Sequence, residues 1–355
     1  MGLTFLYRTL SRKNFLKNPK PPGTPAKNPF YRYMEEPILI ENPHRYILFP
    51  IEYHDVFKMY KDLVSVRWIA EEIDMTKDLK DFKKLNHGEQ HFIKRVLGFF
   101  AGSDGIINEN LVANFSNEVQ IPEAKAFYSE QISNETVHSE TYCRLIEAYI
   151  DDKAERLDIL RSITTMPYVE KKAVWATNWI KNKDATFAER LMAFAVIEGV
   201  FFSGAFCSIF YFKQRGILPG LTSSNEFISR DEGLHTDFAC LLYSKLQNRL
   251  SLANAHTLIR EAVDIEKEFI TEALPCALIG MNSKMMCNYI EYVADRLLQQ
   301  LGYPKTYNTP NPFGFMERIS LEGKDNFFEK RVSTYALCGS GKSGEQMSFR
   351  MNADF

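Results

Sequence analysis

Apolar residues recur at three- and four-residue spacing from about residue 51 to residue 302, with polar residues between them. This period is typical of amphipathic α-helices, and strand-like alternation bounded by turns is scarce. We predict helices over residues 57–75, 87–119, 123–150, 168–182, 186–215, 222–247, 251–281 and 284–302. The pattern therefore predicts an all-α fold in which long helices pack as a bundle.

One of these helices is apolar on every side. Residues 191–212 form a run of 22 residues with a single charge, Glu198, which is long enough to cross a bilayer. The neighbouring segments are amphipathic and rich in charge, so we expect a helix at the centre of a bundle instead. A carboxylate in the middle of such a helix needs a partner, because an isolated buried charge is costly.

The two ends of the chain differ from this helical body. Eight of the fifteen prolines lie in residues 1–50, and a glycine- and serine-rich stretch occupies residues 339–344. We predict an extended leader over residues 1–50, a helical domain over residues 51–320 and a flexible tail over residues 321–355.

Charge and cysteine usage narrow the class of function. The chain has 43 basic and 45 acidic residues, so no overall positive field exists to hold nucleic acid or an anionic membrane. Its six cysteines form no CxxC pair and no zinc-ligand spacing, which favours free thiols in a reducing cytoplasm. Residues 1–34 carry seven Lys/Arg and no acid, which leaves organellar import as an alternative.

Two Glu-x-x-His motifs each place a carboxylate and an imidazole on one helix face. They are Glu135 with His138 and Glu232 with His235. A four-helix bundle that holds two iron or manganese ions uses two such motifs and one carboxylate from each of two further helices. Glu198 supplies one of those carboxylates.

The helix predicted over residues 87–119 offers two candidates for the last ligand. Asp104 lies among apolar and small residues, whereas Glu109 lies between two asparagines and is expected near solvent, so we choose Asp104. Four carboxylates and two imidazoles suit iron or manganese better than zinc, and two divalent ions would balance the four negative charges. The predicted metal ligands are Asp104, Glu135, His138, Glu198, Glu232 and His235.

A tyrosine shares a helix face with the first motif. Tyr142 follows His138 by four residues and should point towards the metals. Phe202 and Phe206 follow Glu198 by four and eight residues and should line the same space. An enclosed tyrosine beside an oxygen-reactive metal pair is placed to lose an electron and a proton. The alternative is that Tyr142 simply packs in the core.

Six separated segments of the chain carry a family resemblance. They are WIAEEID at 68–74, AGSDGIINEN at 101–110, NETVHSETY at 134–142, SRDEGLH at 229–235, NFFEKR at 326–331 and ADF at 353–355. In this order they resemble the small subunit of class I ribonucleotide reductase, eukaryotic type. The resemblance covers nearly everything from about residue 28 to the last residue. It implies a ferritin-like di-iron four-helix bundle with additional helices, acting in ribonucleoside-diphosphate reductase.

The resemblance also implies roles for individual residues. One iron would be held by Asp104, Glu135 and His138, and the other by Glu198, Glu232 and His235. Reaction with O₂ would then oxidise Tyr142 to a stable radical. The radical hole would pass to a large subunit through Trp68, Asp231, His138 and Tyr335. The C-terminal peptide, with its apolar residues Phe349, Met351 and Phe355, would anchor that large subunit, and two small subunits would form a homodimer.

The sequence departs from the family pattern at two positions, and several alternative functions stay open. Arg67 precedes Trp68 where relatives carry an aromatic residue, and Asn352 occupies a tail position that is often acidic. Another carboxylate-bridged di-iron oxidase or hydroxylase would share the ligand pattern, as would a non-catalytic supporting subunit, although no ligand is lost here. Manganese can replace iron in such a site. A phosphate-binding loop at residues 339–343 is excluded, because Ala336 replaces the first glycine of the motif.

Overall fold

The computed structural model describes residues 36–44, 46–161, 167–182, 184–273 and 275–316. Within these ranges the regular structure is helical and contains no strand, as the hydrophobic pattern predicts. Most of the predicted leader and the whole of the predicted tail lie outside the described residues, so the proposed domain bounds stay predictions.

The described chain contains eleven α-helices of five residues or more. They are α1 His54–Ser65, α2 Asp78–Phe82, α3 His87–Asn110, α4 Pro122–Tyr149, α5 Lys153–Leu160, α6 Pro167–Lys181, α7 Phe187–Val196, α8 Ser203–Gln214, α9 Pro219–Ser244, α10 Leu252–Glu268 and α11 Ser283–Gln300. Three five-residue π-helical segments interrupt or extend them, at Leu111–Phe115, Ile197–Phe201 and Phe269–Ala273. Short 3₁₀ or α turns lie at Pro37–Leu39, Ala70–Glu72, Ser116–Glu118 and Cys276–Ile279.

Four long helical elements form the centre of the molecule. Helix α3 packs along α4, and α9 packs against α4, α7 and α8. Helix α7, the π segment Ile197–Phe201 and α8 make up the apolar helix from Phe187 to Gln214. In that helix 94% of the most apolar stretch is buried within the protein. This burial confirms the expectation of a core helix.

Local sequence signals begin the central helices. At the start of α3 the Asn86 side chain accepts a hydrogen bond from the Glu89 backbone amide, and the Glu89 side chain accepts one from the Asn86 backbone amide. At α9 the buried Asp78 carboxylate accepts hydrogen bonds from the amides of Gly220 and Leu221, both at 2.8 Å. A side chain at Gly220 would place its Cβ 2.9 Å from that carboxylate, so the close contact requires glycine.

The predicted helix over residues 57–75 is wrong in its second half. Helix α1 ends at Ser65, and Trp68 lies in a non-helical link before the 3₁₀ turn Ala70–Glu72. The apolar spacing continues through this link because it carries Trp68 and Ile73 into the core, where both are buried. Burial alone therefore produced a helix-like pattern in a segment that is not helical.

Candidate metal centre

Six side chains from the four central elements meet in the core. Asp104 comes from α3, Glu135 and His138 from α4, Glu198 from the π segment, and Glu232 and His235 from α9. None of the six is more than 3% exposed. Four carboxylates thus lie together away from water, an arrangement that costs free energy unless positive charge accompanies them.

The cluster divides into two groups that share one residue. The first group is Asp104, Glu135 and His138, and the second is Glu135, Glu198, Glu232 and His235. Within each group one potential ligand atom of every residue lies within 4.8 Å of the others. The structure therefore brings together all six residues expected from the sequence. Asp104 is buried, whereas the other candidate, Glu109, is exposed.

Two of the carboxylates face both histidines. Glu232 places one oxygen 3.1 Å from His138 Nδ1 and the other 3.3 Å from His235 Nδ1. Glu135 does the same, at 3.6 Å from His138 Nδ1 and 3.1 Å from His235 Nδ1. Each carboxylate can therefore offer one oxygen to each of two cations lying beside the imidazoles.

Several buried polar atoms of the cluster find no hydrogen-bond partner among the residues that the structure describes. They are Oδ2 of Asp104, both carboxylate oxygens of Glu135, Oε2 of Glu198 and Nδ1 of His138. Buried acceptors are rarely left in this state. Lone pairs that converge from carboxylates and imidazole nitrogen are the donor set of iron and manganese sites. These residues fit a metal centre with two ions.

The pKa values of the cluster residues are shifted because four buried carboxylates lie together with little positive charge near them. Burial, followed by the charge of Glu135, raises the pKa of Asp104 well above its usual range. Burial, followed by Glu232, raises the pKa of Glu198 in the same way. Burial lowers the pKa of His235, but the nearby carboxylates of Glu135 and Glu232 prevail and raise it to about 9. In the metal-free chain, bound protons therefore supply the positive charge.

A hydrogen-bonded chain leads from the cluster towards the surface. His138 Nε2 lies 3.2 Å from Asp231 Oδ2, and the same oxygen accepts a 2.7 Å hydrogen bond from Trp68 Nε1. The indole also stacks on the imidazole, with ring centroids 6.1 Å apart. Arg230 donates to the other oxygen of Asp231 at 2.8 Å and so completes its hydrogen bonding. A carboxylate that is hydrogen-bonded to a metal-binding histidine fixes the orientation of its imidazole ring.

The residue before Trp68 extends this region to the surface. Arg67 makes a two-point contact with the buried carboxylate of Glu130, so the departure noted in the sequence is accommodated by an ion pair. Tyr335, the fourth member of the expected transfer route, lies outside the described residues. So do Phe349, Met351 and Phe355.

Tyr142 is buried in an aromatic pocket beside the cluster. Its ring stacks on Phe100 at 4.7 Å with an interplanar angle of 11°. Phe206 and Phe202 pack on the other sides of Phe100, at 4.9 and 5.8 Å. Burial, followed by the charge of Asp104, raises the pKa of Tyr142 well above 10, so the phenol keeps its proton.

Sequence reasoning missed two residues of the site. Phe100, which stacks on Tyr142, comes from α3, and nothing in the sequence relates it to that tyrosine. Gln131 donates a 3.0 Å hydrogen bond to Glu198. It lies one helical turn before Glu135, so the four-residue spacing was the signal that could have revealed it.

Comparisons with known proteins agree on one family. The family model described as "Ribonucleotide reductase, small chain" matches residues 45–312. Ribonucleoside-diphosphate reductase subunit M2 of Danio rerio is 55% identical over 321 residues, which cover 90% of this chain and 83% of that protein. The subunit M2 of Homo sapiens is 53% identical over 354 residues, covering 100% and 90%. The solved structure of the ribonucleotide reductase Rnr4 homodimer from Saccharomyces cerevisiae has a TM-score of 0.75 and 41% identity, and the match covers 84% of this chain and 92% of that chain.

Proposed function

Because the chain belongs to the ribonucleotide reductase small-chain family, we propose that it builds a di-iron centre and uses O₂ to generate a tyrosyl radical on Tyr142. As a small subunit of ribonucleoside-diphosphate reductase, it serves an oxidoreductase that converts ribonucleotides to deoxyribonucleotides. The observation that carries the radical assignment is the placement of a buried, protonated tyrosine beside six converging metal ligands.

Each metal ion would have its own ligands and two shared ones. Asp104 and His138 would hold one ion, and Glu198 and His235 the other. Glu135 and Glu232 would be shared between the two ions, because each places one oxygen within 3.6 Å of Nδ1 of each histidine. When bound, the reduced ions would supply with O₂ a one-electron oxidant. Tyr142 would lose one electron to it and its phenol proton to the adjacent carboxylate cluster. Manganese is the second candidate, because it accepts the same ligands.

The protein's own residues then protect and transmit the radical. Phe100 covers the Tyr142 ring, and Phe202 and Phe206 pack behind Phe100, so this side of the ring is closed to water and to reductants. Asp231 accepts the Trp68 N–H and meets His138, so it can hold a proton while the indole exchanges an electron with the cluster. The route would continue through Tyr335 towards the large subunit.

Partner contacts complete the proposal. Phe349, Met351 and Phe355 would anchor the large subunit, and two copies of this chain would pair as a homodimer, as in the yeast Rnr4 structure. A reducing cytoplasm is the proposed compartment. The five cysteines of the described residues are all free thiols, which supports it.

A hydroxylase-like di-iron protein is the second candidate. It would share the six ligands but would have no need of an indole hydrogen-bonded to the partner of His138. The contact of Trp68 with Asp231 therefore favours a subunit that exports an electron hole. A non-catalytic supporting subunit is disfavoured, because every ligand position is retained and buried.

Electron paramagnetic resonance distinguishes these candidates. The apo-protein is loaded with Fe(II), O₂ is admitted, and the spectrum is compared with those of Tyr142→Phe and Tyr128→Phe. Tyr128 is a matched control, because it lies on the same helix, is buried and makes no hydrogen bond through its hydroxyl. We expect a stable tyrosyl signal in the wild type and in Tyr128→Phe, and none in Tyr142→Phe. Two bound irons without any radical would instead support the hydroxylase-like reading.

A further inference from the structure

The helix that carries Glu198 is interrupted just beyond that residue. The π segment Ile197–Phe201 ends at Phe202, whose φ of −97° and ψ of −14° separate it from α8. The interruption follows a proposed metal ligand, Glu198, by four residues and falls on Phe202, one of the two phenylalanines that pack on Phe100 beside Tyr142. At such an interruption the backbone hydrogen bonds no longer follow the regular α-helical spacing. The amide and carbonyl groups there therefore need other hydrogen-bond partners.

A buried ion pair supplies partners on both sides of this interruption. Lys172, from α6, donates a 2.7 Å hydrogen bond to the carbonyl oxygen of Phe201. Glu266, from α10, accepts a 3.2 Å hydrogen bond from the amide of Gly204, at the start of α8. The two side chains also form an ion pair with each other. Together they connect the end of the π segment, at Phe201, to the beginning of α8, at Gly204.

Neighbouring rings and a glycine fix the positions of the Lys172 and Glu266 side chains. The Lys172 ammonium lies 3.6 Å from the centre of the Phe269 ring and 4.2 Å from that of Phe99. A Cβ on Gly204 would lie 2.8 Å from the Glu266 carboxylate, so only glycine permits the contact. The pair is at most 3% exposed.

Such a pair contributes little to stability by itself. Burial lowers the pKa of Lys172 to about 8 and raises that of Glu266 to about 7, so desolvation outweighs their mutual attraction. Buried ion pairs of this kind can often be replaced by uncharged residues without loss of stability, and in some proteins they specify one conformation instead.

We propose that Lys172 and Glu266 are positioning residues. They fix the backbone around the helix interruption at Phe202, so that the Glu198 side chain points into the metal cluster and the Phe202 ring points towards the Tyr142 pocket. The pair acts on the site from outside, since it touches no proposed ligand. This inference rests on the proposed metal centre and adds to it a device that fixes the geometry of one ligand helix.

A double substitution tests the proposal without leaving an unpaired charge. Lys172→Met combined with Glu266→Gln removes both charges but keeps an acceptor for the Gly204 amide. The matched control is Lys171→Met with Glu268→Gln, because Lys171 and Glu268 form an ion pair on the surface between the same two helices. Each apo-protein is titrated with Mn(II) alone, free Mn(II) is followed by electron paramagnetic resonance, and thermal unfolding is recorded without metal.

The expected result separates metal binding from folding. The Lys172/Glu266 variant should unfold near the wild-type temperature but bind Mn(II) about 10- to 100-fold more weakly, the range typical when support of a metal ligand is lost. The Lys171/Glu268 variant should match the wild type in both measurements. Wild-type Mn(II) affinity in the folded Lys172/Glu266 variant would overturn the inference.

Two further outcomes are decisive. If the wild type and the control bind neither Mn(II) nor Fe(II), the proposed metal centre itself fails, which differs from failure of the positioning role alone. If the double variant does not fold, Lys172→Arg, which keeps the charge but moves the donors, is titrated in its place. Failure of that variant to fold as well would reduce the pair to a structural role and overturn the inference.

Discussion

Substitution of Trp68 by phenylalanine removes one hydrogen bond and leaves an aromatic ring in place. Trp68 Nε1 donates to Asp231 Oδ2 at 2.7 Å, and both residues are buried. A hydrogen bond to a charged group contributes about 1.5–3 kcal/mol to stability. At an unfolding entropy of about 2.1 cal/mol/K per residue over the roughly 270 residues of the predicted helical domain, this loss lowers the midpoint of thermal unfolding by about 3–5 °C.

Trp175→Phe is the matched control for this change. The Trp175 indole nitrogen is also buried but makes no hydrogen bond, so the same substitution removes ring area without removing a partner. Calorimetry of the two metal-free variants should therefore find Trp68→Phe less stable by the calculated amount. Equal melting temperatures would refute the argument that the Asp231 contact is strong.

The same variant tests the radical route. Trp68→Phe should form the Tyr142 radical after loading with Fe(II) and O₂, since it leaves all six ligands in place. Reductase turnover with the large subunit should fall to background, because phenylalanine neither donates to Asp231 nor is oxidised as readily as an indole. Turnover equal to that of Trp175→Phe would exclude Trp68 from the route.

Three further predictions address packing, capping and partner binding. Phe100→Leu should shorten the lifetime of the tyrosyl radical, followed by its paramagnetic signal, whereas Phe115→Leu, in a different aromatic cluster, should not. Asp78→Asn should lower the free energy of unfolding in urea by about 1.5–3 kcal/mol, because it weakens hydrogen bonds from Gly220, Leu221 and Tyr149; an unchanged urea midpoint would contradict this. Deletion of residues 349–355 should leave the radical intact and abolish binding to the large subunit in surface plasmon resonance; undiminished affinity would disprove the role of the tail.

Local spacing predicted which side chains meet in the cluster, because each Glu-x-x-His pair lies on a single helix. The three-residue step of Glu135 and His138, repeated by Glu232 and His235, determines a shared helix face whatever the rest of the fold does. Asp104 was separated from Glu109 by the apolar character of its neighbours, which reports burial. These signals depend only on residues close together in the sequence, so they can be used without knowing how the helices pack.

Features that depend on two helices at once could not be predicted in this way. Phe100 stacks on Tyr142 only because α3 and α4 pack in one register, and that register is set by every contact along both helices. The interruption at Phe202 was likewise invisible, since an all-apolar stretch has the same composition whether or not it contains a π segment. Hydrophobic pattern reports burial, and it does not report where the backbone hydrogen bonds change register.

Buried acids outside the cluster follow a rule that the cluster breaks. In the described part of the chain, each has a basic partner or backbone amides: Glu89 with Arg215, Glu130 with Arg67, Asp231 with Arg230, Glu266 with Lys172, Asp78 with Gly220 and Leu221, Glu123 with Glu52 and Tyr53, and Asp295 with residues 306–308.

Within the described ranges, the partners of the four cluster carboxylates are two histidines and the side-chain amide of Gln131. Since every other buried acid of the described residues has a basic partner or backbone amides, a lack of both is confined to this cluster. Two divalent cations would remove it, which is why the charge pattern of the whole core, and not only the spacing of its ligands, supports a metal centre.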